Sequence, residues 1–561
     1  MKFTLKGFFS VLMLIVAVGS VVSINADSGC CGSTTGSCGT SQGDCGCTDL
    51  CDQSCAPLTN SCNVYGKNFY LPRSQGSNLA RQMIGIQDKI HKFGNECFYG
   101  VGTVAFEYQR TFRSGSSNSN NRGNLGAWFS STGNARMSYG MNDTSGSNTN
   151  GFDLNALNWG YTGSGEIYFC PTKDDFIIDL NLYLGLDELF CGLWAQLDIP
   201  IVRTKFNIGV VEKVEGAPSS VLPTNLFNDN ATDGALLKVY DTFKEALRGD
   251  KAVGDLPILN SGKICGSRDD TSVANIRVNL GYDWMRRECW HFATSLLFVA
   301  PVGTKPCGEY LFEPLVGNAA RFEIGGEVNF GYELWNNCDA TQTVSLFIDG
   351  YVDTVVARRN RRILGLLPED ATAAQRTWSQ YLLLKVYDSS DNVTGLERAA
   401  NITTGDLRVA ASVEGAVALL LQWNCNCLMA GIGYEAWGRS CEKAKSRCFD
   451  ITSNKYALQG VTDEYSAAGV TLDTNAPAST ISTPGASTAQ SDGNYLTSDS
   501  LDVCPALHTN ANSNKVFAFA GYNWCECDWQ PFILVGGEAE FGSQNRAVSQ
   551  WGVIGKGGIS F

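Results

Sequence analysis

Between Arg321 and Leu334 the chain reads RFEIGGEVNFGYEL. Arg321, Glu323, Gly325, Glu327, Asn329, Gly331 and Glu333 alternate there with Phe322, Ile324, Gly326, Val328, Phe330, Tyr332 and Leu334. Successive side chains of a strand point to opposite faces, so this run predicts a strand with one polar and one apolar face. The design recurs. Asp175, Asp179, Asn181 and Tyr183 alternate with Phe176, Ile178, Leu180 and Leu182, and Arg277, Asn279 and Asp283 with Ile276, Val278, Leu280, Tyr282 and Trp284. Ser345, Asp349 and Asp353 alternate with Val344, Leu346, Ile348 and Val352, and Arg408, Ser412 and Glu414 with Val409, Ala411 and Val413.

A soluble sandwich would alternate in the same way with its apolar face inward. The candidate strands, however, are long enough for the roughly 9–11 residues that a tilted strand needs to cross a bilayer. Aromatic groups dress their ends: Gly281-Tyr282-Asp283-Trp284, Gly331-Tyr332 with Trp335, Gly433-Tyr434 with Trp437, and Gly521-Tyr522-Asn523-Trp524. Tyr and Trp suit a membrane-water interface, where the apolar ring and polar tip are both satisfied. Short cysteine-bearing turns alternate with long polar connections such as 212–271, 357–405 and 439–513. Short turns on one rim and long loops on the other are the anatomy of a transmembrane barrel.

Counting back from Phe561 through 549–561, 530–541, 515–524, 428–437, 408–423, 342–356, 321–335, 290–301, 272–285, 195–210 and 175–189, and adding a strand near 98–113, predicts twelve strands. A further pair near 125–132 and 164–170 would make fourteen. The count puts Cys191, Cys289, Cys338, Cys425, Cys427, Cys525 and Cys527 on one rim, read as periplasmic. The predicted fold is therefore all-β, an antiparallel up-and-down transmembrane barrel over residues 96–561.

The 561 residues carry 42 Lys+Arg against 56 Asp+Glu, a net charge of -14, which argues against nucleic acid as a partner. Lys2 and Lys6 followed by an apolar run from Phe8 to Val22 read as a signal peptide over residues 1–26. All 22 cysteines follow it, which points to an oxidising compartment. Eight of them, Cys30, Cys31, Cys38, Cys45, Cys47, Cys51, Cys55 and Cys62, fall in a Gly/Ser-rich stretch that cannot bury a core. Residues 27–95 are read as a cysteine-rich periplasmic segment, with these eight and the turn cysteines Cys289, Cys338, Cys425, Cys427, Cys525 and Cys527 as disulfide candidates. No metal set is evident.

The last strand is the most specific signal. Trp551, Val553, Gly555, Gly557, Ile559 and Phe561 alternate with Gly552, Ile554, Lys556, Gly558 and Ser560, and the chain stops on the phenylalanine. This resembles the closing strand of Gram-negative outer-membrane β-barrels, and the cysteine load resembles that of the major porins of chlamydia-type bacteria. The resemblance implies an outer-membrane location and a porin that passes small hydrophilic solutes, with membrane lipid and disulfide-linked or identical neighbouring chains as partners. The faces so assigned make Asp179, Asp283, Glu323, Glu327, Asp349, Asp353, Glu414, Glu538, Arg277, Arg321 and Arg408 pore-lining. The basic run Arg358, Arg359, Arg361 and Arg362 is a candidate constriction or an outer rim that is solvated or bound to anionic lipid headgroups.

Enzymatic signatures are lacking: His91, His291 and His508 stand apart in sequence, and no nucleophile elbow, P-loop or zinc motif occurs. No catalytic residue, metal or cofactor is expected. Residues 231–248 read as an amphipathic helix in an outer loop. The competing function is a structural or adhesive envelope protein anchored by the barrel, and a third is a soluble, disulfide-stapled β-protein.

Overall fold

The computed structural model describes residues 48–49, 66–94, 98–112, 136–140, 152–222, 237–337, 341–366, 378–390, 393–458, 495–524, 529–542 and 547–561. Twelve strands carry the architecture: β1 (Tyr99–Thr111), β2 (Thr172–Gly185), β3 (Leu193–Asn207), β4 (Ile276–Arg287), β5 (Trp290–Ala300), β6 (Glu323–Asn336), β7 (Gln342–Ile363), β8 (Thr404–Cys425), β9 (Leu428–Arg439), β10 (Ala511–Asn523), β11 (Gln530–Gly542) and β12 (Gln550–Ser560). Each pairs antiparallel with its neighbours in sequence, and β12 pairs with β1 from Gln550↔Thr111 to Ser560↔Val101. The ring is closed, so no strand edge is left unpaired. All twelve strands read from the sequence are present. The additional pair is not part of the barrel: Ser164–Phe169 belongs to a separate four-stranded sheet, and 125–132 lies outside the described residues.

The alternation is realised as expected. Ile324 and Val328 are exposed on the outer surface, while Glu323 and Glu327 are buried inside. Phe106, Phe176, Leu280, Leu296, Ile432, Val516, Val535 and Val553 continue the apolar outer belt around the ring. No helix among the described residues is long and apolar enough to cross a membrane, which leaves crossing by strands untouched.

The recurring Gly-Tyr pairs have a structural reason. Gly281 faces inward in register with Trp194, Gly331 with His291, and Gly433 with Phe517. A Cβ at any of the three would collide with the partner's ring. Each glycine is a notch into which the neighbouring strand's ring lies flat, covering the exposed backbone. Of the tyrosines that follow, Tyr332 and Tyr434 are exposed outside and Tyr282 is half-buried; Tyr522, after Gly521, is exposed, as are Trp284, Trp335 and Trp524. Trp437 departs from the girdle pattern: it is buried inside, beside the Arg73 guanidinium.

Five short connections and Phe561 share one rim, the turn rim; the long connections share the other, the loop rim, with the seven-residue link 543–549. The long connections pack into a cap with its own core, in which the rings of Trp159, Phe243, Trp378 and Tyr381 meet edge-on or tilted. Of the predicted helix over 231–248, residues 231–236 lie outside the described residues, and in the rest one turn is helical, Phe243–Ala246, capped by Thr242, with Phe243 and Ala246 buried in that core.

Cys289 and Cys425 stand as free thiols at the turn rim, together with Cys191. Cys504, on the loop side, is disulfide-bonded. Cys338, Cys525, Cys527 and the eight cysteines from Cys30 to Cys62 lie outside the described residues, as does the predicted signal peptide.

Candidate functional site in the barrel lumen

The lumen holds the chain's own residues 66–94. The sequence reading assigned them to the segment outside the barrel, but they thread it from the loop rim to the turn rim. At the loop rim, the Asn68 amide donates to the Pro505 carbonyl (2.8 Å), and Arg439 donates to the carbonyl of Leu71 (2.8 Å). Gln75 then takes the Gly317 amide (2.9 Å) and donates to the Leu315 carbonyl (3.2 Å).

Midway, Leu79–Met83 form helix α1, capped by Asn78, whose side chain accepts from the Arg81 amide (3.2 Å). Five residues are too few to be helical alone. The wall holds both ends: the Asn78 amide group donates to Glu538 (3.2 Å), and the Lys556 ammonium donates to the carbonyls of Arg81 (2.9 Å) and Gln82 (3.0 Å). A cation at the C-terminal carbonyls is the favourable pole of the helix dipole. Leu79, Ala80, Met83 and Ile84 bury against wall residues that include Phe517, Phe519 and Leu534.

The charged contacts fix the segment to opposite walls. Arg81 bridges Glu107 of β1 (2.5 Å) and Asp179 of β2 (2.7 Å). Arg73 pairs with Glu435 of β9 and with Glu540 of β11 (3.3 Å). Gln87 donates to Asp349 of β7 (2.6 Å). Near the turn rim, His91 Nδ1 lies 2.6 Å from Asp283 Oδ1, and its ring stacks on His291 with centroids 4.7 Å apart. His91 has φ 53°, a left-handed backbone that a single residue visits at a small cost and that turns the chain toward β1.

Of the residues expected to line a pore, Asp179, Asp283, Glu323, Glu327, Asp349, Asp353, Glu414, Glu538 and Arg277 are all buried inside the barrel. Glu327 accepts from Arg277 (3.2 Å) and Asn279 (2.8 Å). Asp353 stands directly opposite Glu414, and among the described residues neither oxygen of Asp353 has a hydrogen-bond partner. Arg321 sits at the loop rim, paired with Glu442 (2.8 Å). Arg408 faces the other way: it is exposed on the outer surface. Bulges between Asp353 and Arg358, opposite 409–414, shift the register and reverse which alternate residues point inward. The basic run divides for the same reason. Arg362 is buried against Phe69 and Glu442, Arg358 reaches the Ala320 carbonyl, and Arg359 and Arg361 lie on the outer face, so the four form no ring across the lumen.

The wall missed by the sequence reading includes Glu107, Glu435, Lys515 and Lys556. Lys515 contacts Glu538 (3.0 Å) and lies 3.7 Å from Glu435 and 3.8 Å from Glu540. Their signal was the same alternation, continued along β1, β9, β10 and β12.

No family model and no curated protein matches the sequence. Among solved structures, the chain is similar to an outer-membrane channel of Pseudomonas putida F1 (TM-score 0.32, 9% identity, covering 82% of this chain and 95% of that one). It is also similar to a Pseudomonas aeruginosa FadL homologue (0.26, 9%, 88% and 99%) and to the Pseudomonas putida toluene transporter TodX (0.28, 7%, 88% and 95%). At these scores the likeness carries no argument, and the barrel rests on its own closed ring of strand pairs. The resemblance to chlamydia-type porins gains no support from these neighbours.

Proposed function

We propose that the chain is an outer-membrane channel of a Gram-negative bacterium, closed at rest by residues 66–94 and passing small hydrophilic solutes when that segment shifts. The observation that carries this is the polar seam between segment and wall, in which Arg81 lies between Glu107 and Asp179. A buried ion pair is a weak source of stability, so the ionic part of the contact, beside the apolar packing of Leu79, Met83 and Ile84, holds the segment less firmly than a wholly apolar core would. An ionic seam permits water and polar solutes to replace each contact. The outer apolar belt and exposed Tyr and Trp support the membrane setting. The charged lumen favours polar cargo over a hydrocarbon of the kind TodX is named for. The reading is non-enzymatic: His91 and His291 stack in the seam, and His508 packs against Tyr70.

Planar-bilayer recording tests this. The refolded full chain is expected to show rare openings, and Arg81→Gln to raise open probability at least about tenfold, because it removes the charge-assisted contacts to both Glu107 and Asp179. Silence in both would favour the second reading, a structural envelope protein whose barrel is only an anchor. That reading draws on the occupied lumen and on the exposed thiols of Cys191 and Cys289 at the turn rim.

A further inference from the structure

Histidine is scarce in this chain: there are three in 561 residues, and two of the three meet where the inner segment touches the wall. His91, at the turn-rim end of the segment, stacks on His291 of β5 with ring centroids 4.7 Å apart and an interplanar angle of 26°. Both side chains are buried. Imidazole changes its charge between about pH 5 and 8, so a face-to-face pair at the junction of segment and wall is a proton-dependent contact.

The two rings are supported unequally. His91 Nδ1 lies 2.6 Å from Asp283 Oδ1 of β4, and a proton on His91 turns that contact into an ion pair. Around it stand Tyr183 of β2, whose hydroxyl takes the His91 amide (3.3 Å), the Trp194 ring of β3, and Asp349 of β7, which Gln87 engages. The Tyr99 hydroxyl of β1 takes the Lys92 amide (3.2 Å) and contacts Tyr183 (3.4 Å). Arg286 of β4 lies 3.6 Å from the other oxygen of Asp283, pairs with Asp187 and donates to the Lys92 carbonyl (3.2 Å). On the segment itself, Lys89 pairs with Asp88 (3.0 Å).

His291 has no such support. Its ring fills the notch at Gly331 and stacks on Phe347 with centroids 6.4 Å apart. Among the described residues its buried Nε2 has no hydrogen-bond partner. Its charged neighbour is His91, while Arg286, its partner in register, is turned to Asp187 (2.8 Å). A first proton, on His91, therefore fastens the segment. A second, on His291, sets two stacked cations against each other with a carboxylate in contact with His91 alone.

From this arrangement we infer that His91 and His291 form an acid-operated latch, in which protonation of both rings drives His91 off the wall and frees the turn-rim end of the segment, residues 87–94. The consequence, that acid opens the pore, rests on the channel reading above. Protons favour the state in which the charged rings stand apart and meet water, so release increases as pH falls.

Two measurements on the refolded full chain separate the latch from the channel. In the first, amide exchange over 87–94 is followed from about pH 7.5 to about pH 4.5 and corrected for the intrinsic effect of pH. It should quicken at least about tenfold in the native chain and less than about twofold in His291→Phe, whose ring stacks but takes no proton. His291→Gln replaces that variant if it does not fold. His508→Gln, at the third histidine and beside Tyr70 near the loop rim, should respond as the native chain does. An acid response that survives in His291→Phe, or in His291→Gln where that replaces it, overturns the latch and assigns the response to Asp283 or other lumen carboxylates. Exchange in the native chain that ignores pH overturns it as well. In the second, open probability in planar bilayers over the same range should rise in parallel, and openings that ignore pH overturn the latch as a gate. Exchange that quickens in acid with no openings at any pH keeps the latch and overturns the channel reading instead.

Discussion

Trp194 of β3 lies flat against Gly281 of β4, its registered partner, where a Cβ would occupy the space of the indole. The contact welds two strands that are joined by a long connection rather than a short turn. Gly281→Ala should therefore push the ring off the wall and lower stability by about 1–3 kcal/mol, as overpacking does. Gly281→Ala combined with Trp194→Ala should recover part of that loss, read from the temperature at which the compact band of a heat-modifiable gel disappears. Strictly additive losses would show that the notch is incidental.

Val328 and Glu327 are adjacent and face opposite media. Val328→Arg places a charge on the outer belt and should cost about 2–4 kcal/mol if that face meets lipid. Glu327→Gln keeps the shape but removes the charge that Arg277 and Asn279 approach, so a loss of about 1–3 kcal/mol is expected, with insertion intact. Equal insertion of both variants into liposomes would argue against a lipid-facing belt.

Lys556→Met removes the ammonium from the carbonyls of Arg81 and Gln82. Amide exchange should quicken at least about tenfold over 79–84 while the barrel strands stay protected, because a charge-assisted bond contributes about 1.5–3 kcal/mol. Uniform loss of protection would mean that segment and barrel unfold as one body.

Partial burial, together with the Glu313 carboxylate beside it, pushes the Cys307 thiol up to about 11. The thiolate is the reactive form, so at pH 8 alkylation should run about a hundredfold slower than for an ordinary thiol of pKa about 8.5, and it should accelerate as pH rises toward 11. Peptide mapping after timed iodoacetamide treatment gives the rate, and Glu313→Gln should raise it.

Carboxylates outnumber cations on the lumen wall, and Arg359, Arg361 and Arg408 stand outside it. Reversal potentials under a KCl gradient should report mild cation preference that fades with salt. Anion preference would place the selective charge on Arg73, Arg81 and Lys89 of the inner segment.

The period-two pattern revealed all twelve strands because each has one face against the apolar belt and one against a polar interior. Arg408 was misplaced because a bulge adds one residue and reverses every side chain beyond it, leaving Ser412 and Val413 both exposed, while the sequence keeps alternating through that point. Residues 66–94 carry no period of their own. Their conformation comes from Lys556, Asn78 and the wall carboxylates, contacts made by residues distant in sequence. The unpaired surplus of lumen carboxylates was the legible hint that cations had to come from elsewhere.

The inner segment also changes the arithmetic of termini. Twelve antiparallel strands alone would bring the start of β1 and the end of β12 to the same face, as the Gly100 and Phe561 backbone pairing shows. The passage from Gly66 to Gly94 is a thirteenth traverse, and an odd number separates the ends. Whatever precedes Gly66 departs from the face opposite Phe561, so the closing seam between β1 and β12 has to zip around a strand of chain already inside it. If assembly begins from the C-terminal strand, the lumen must be loaded before the barrel shuts, and the segment is enclosed at birth rather than inserted afterwards.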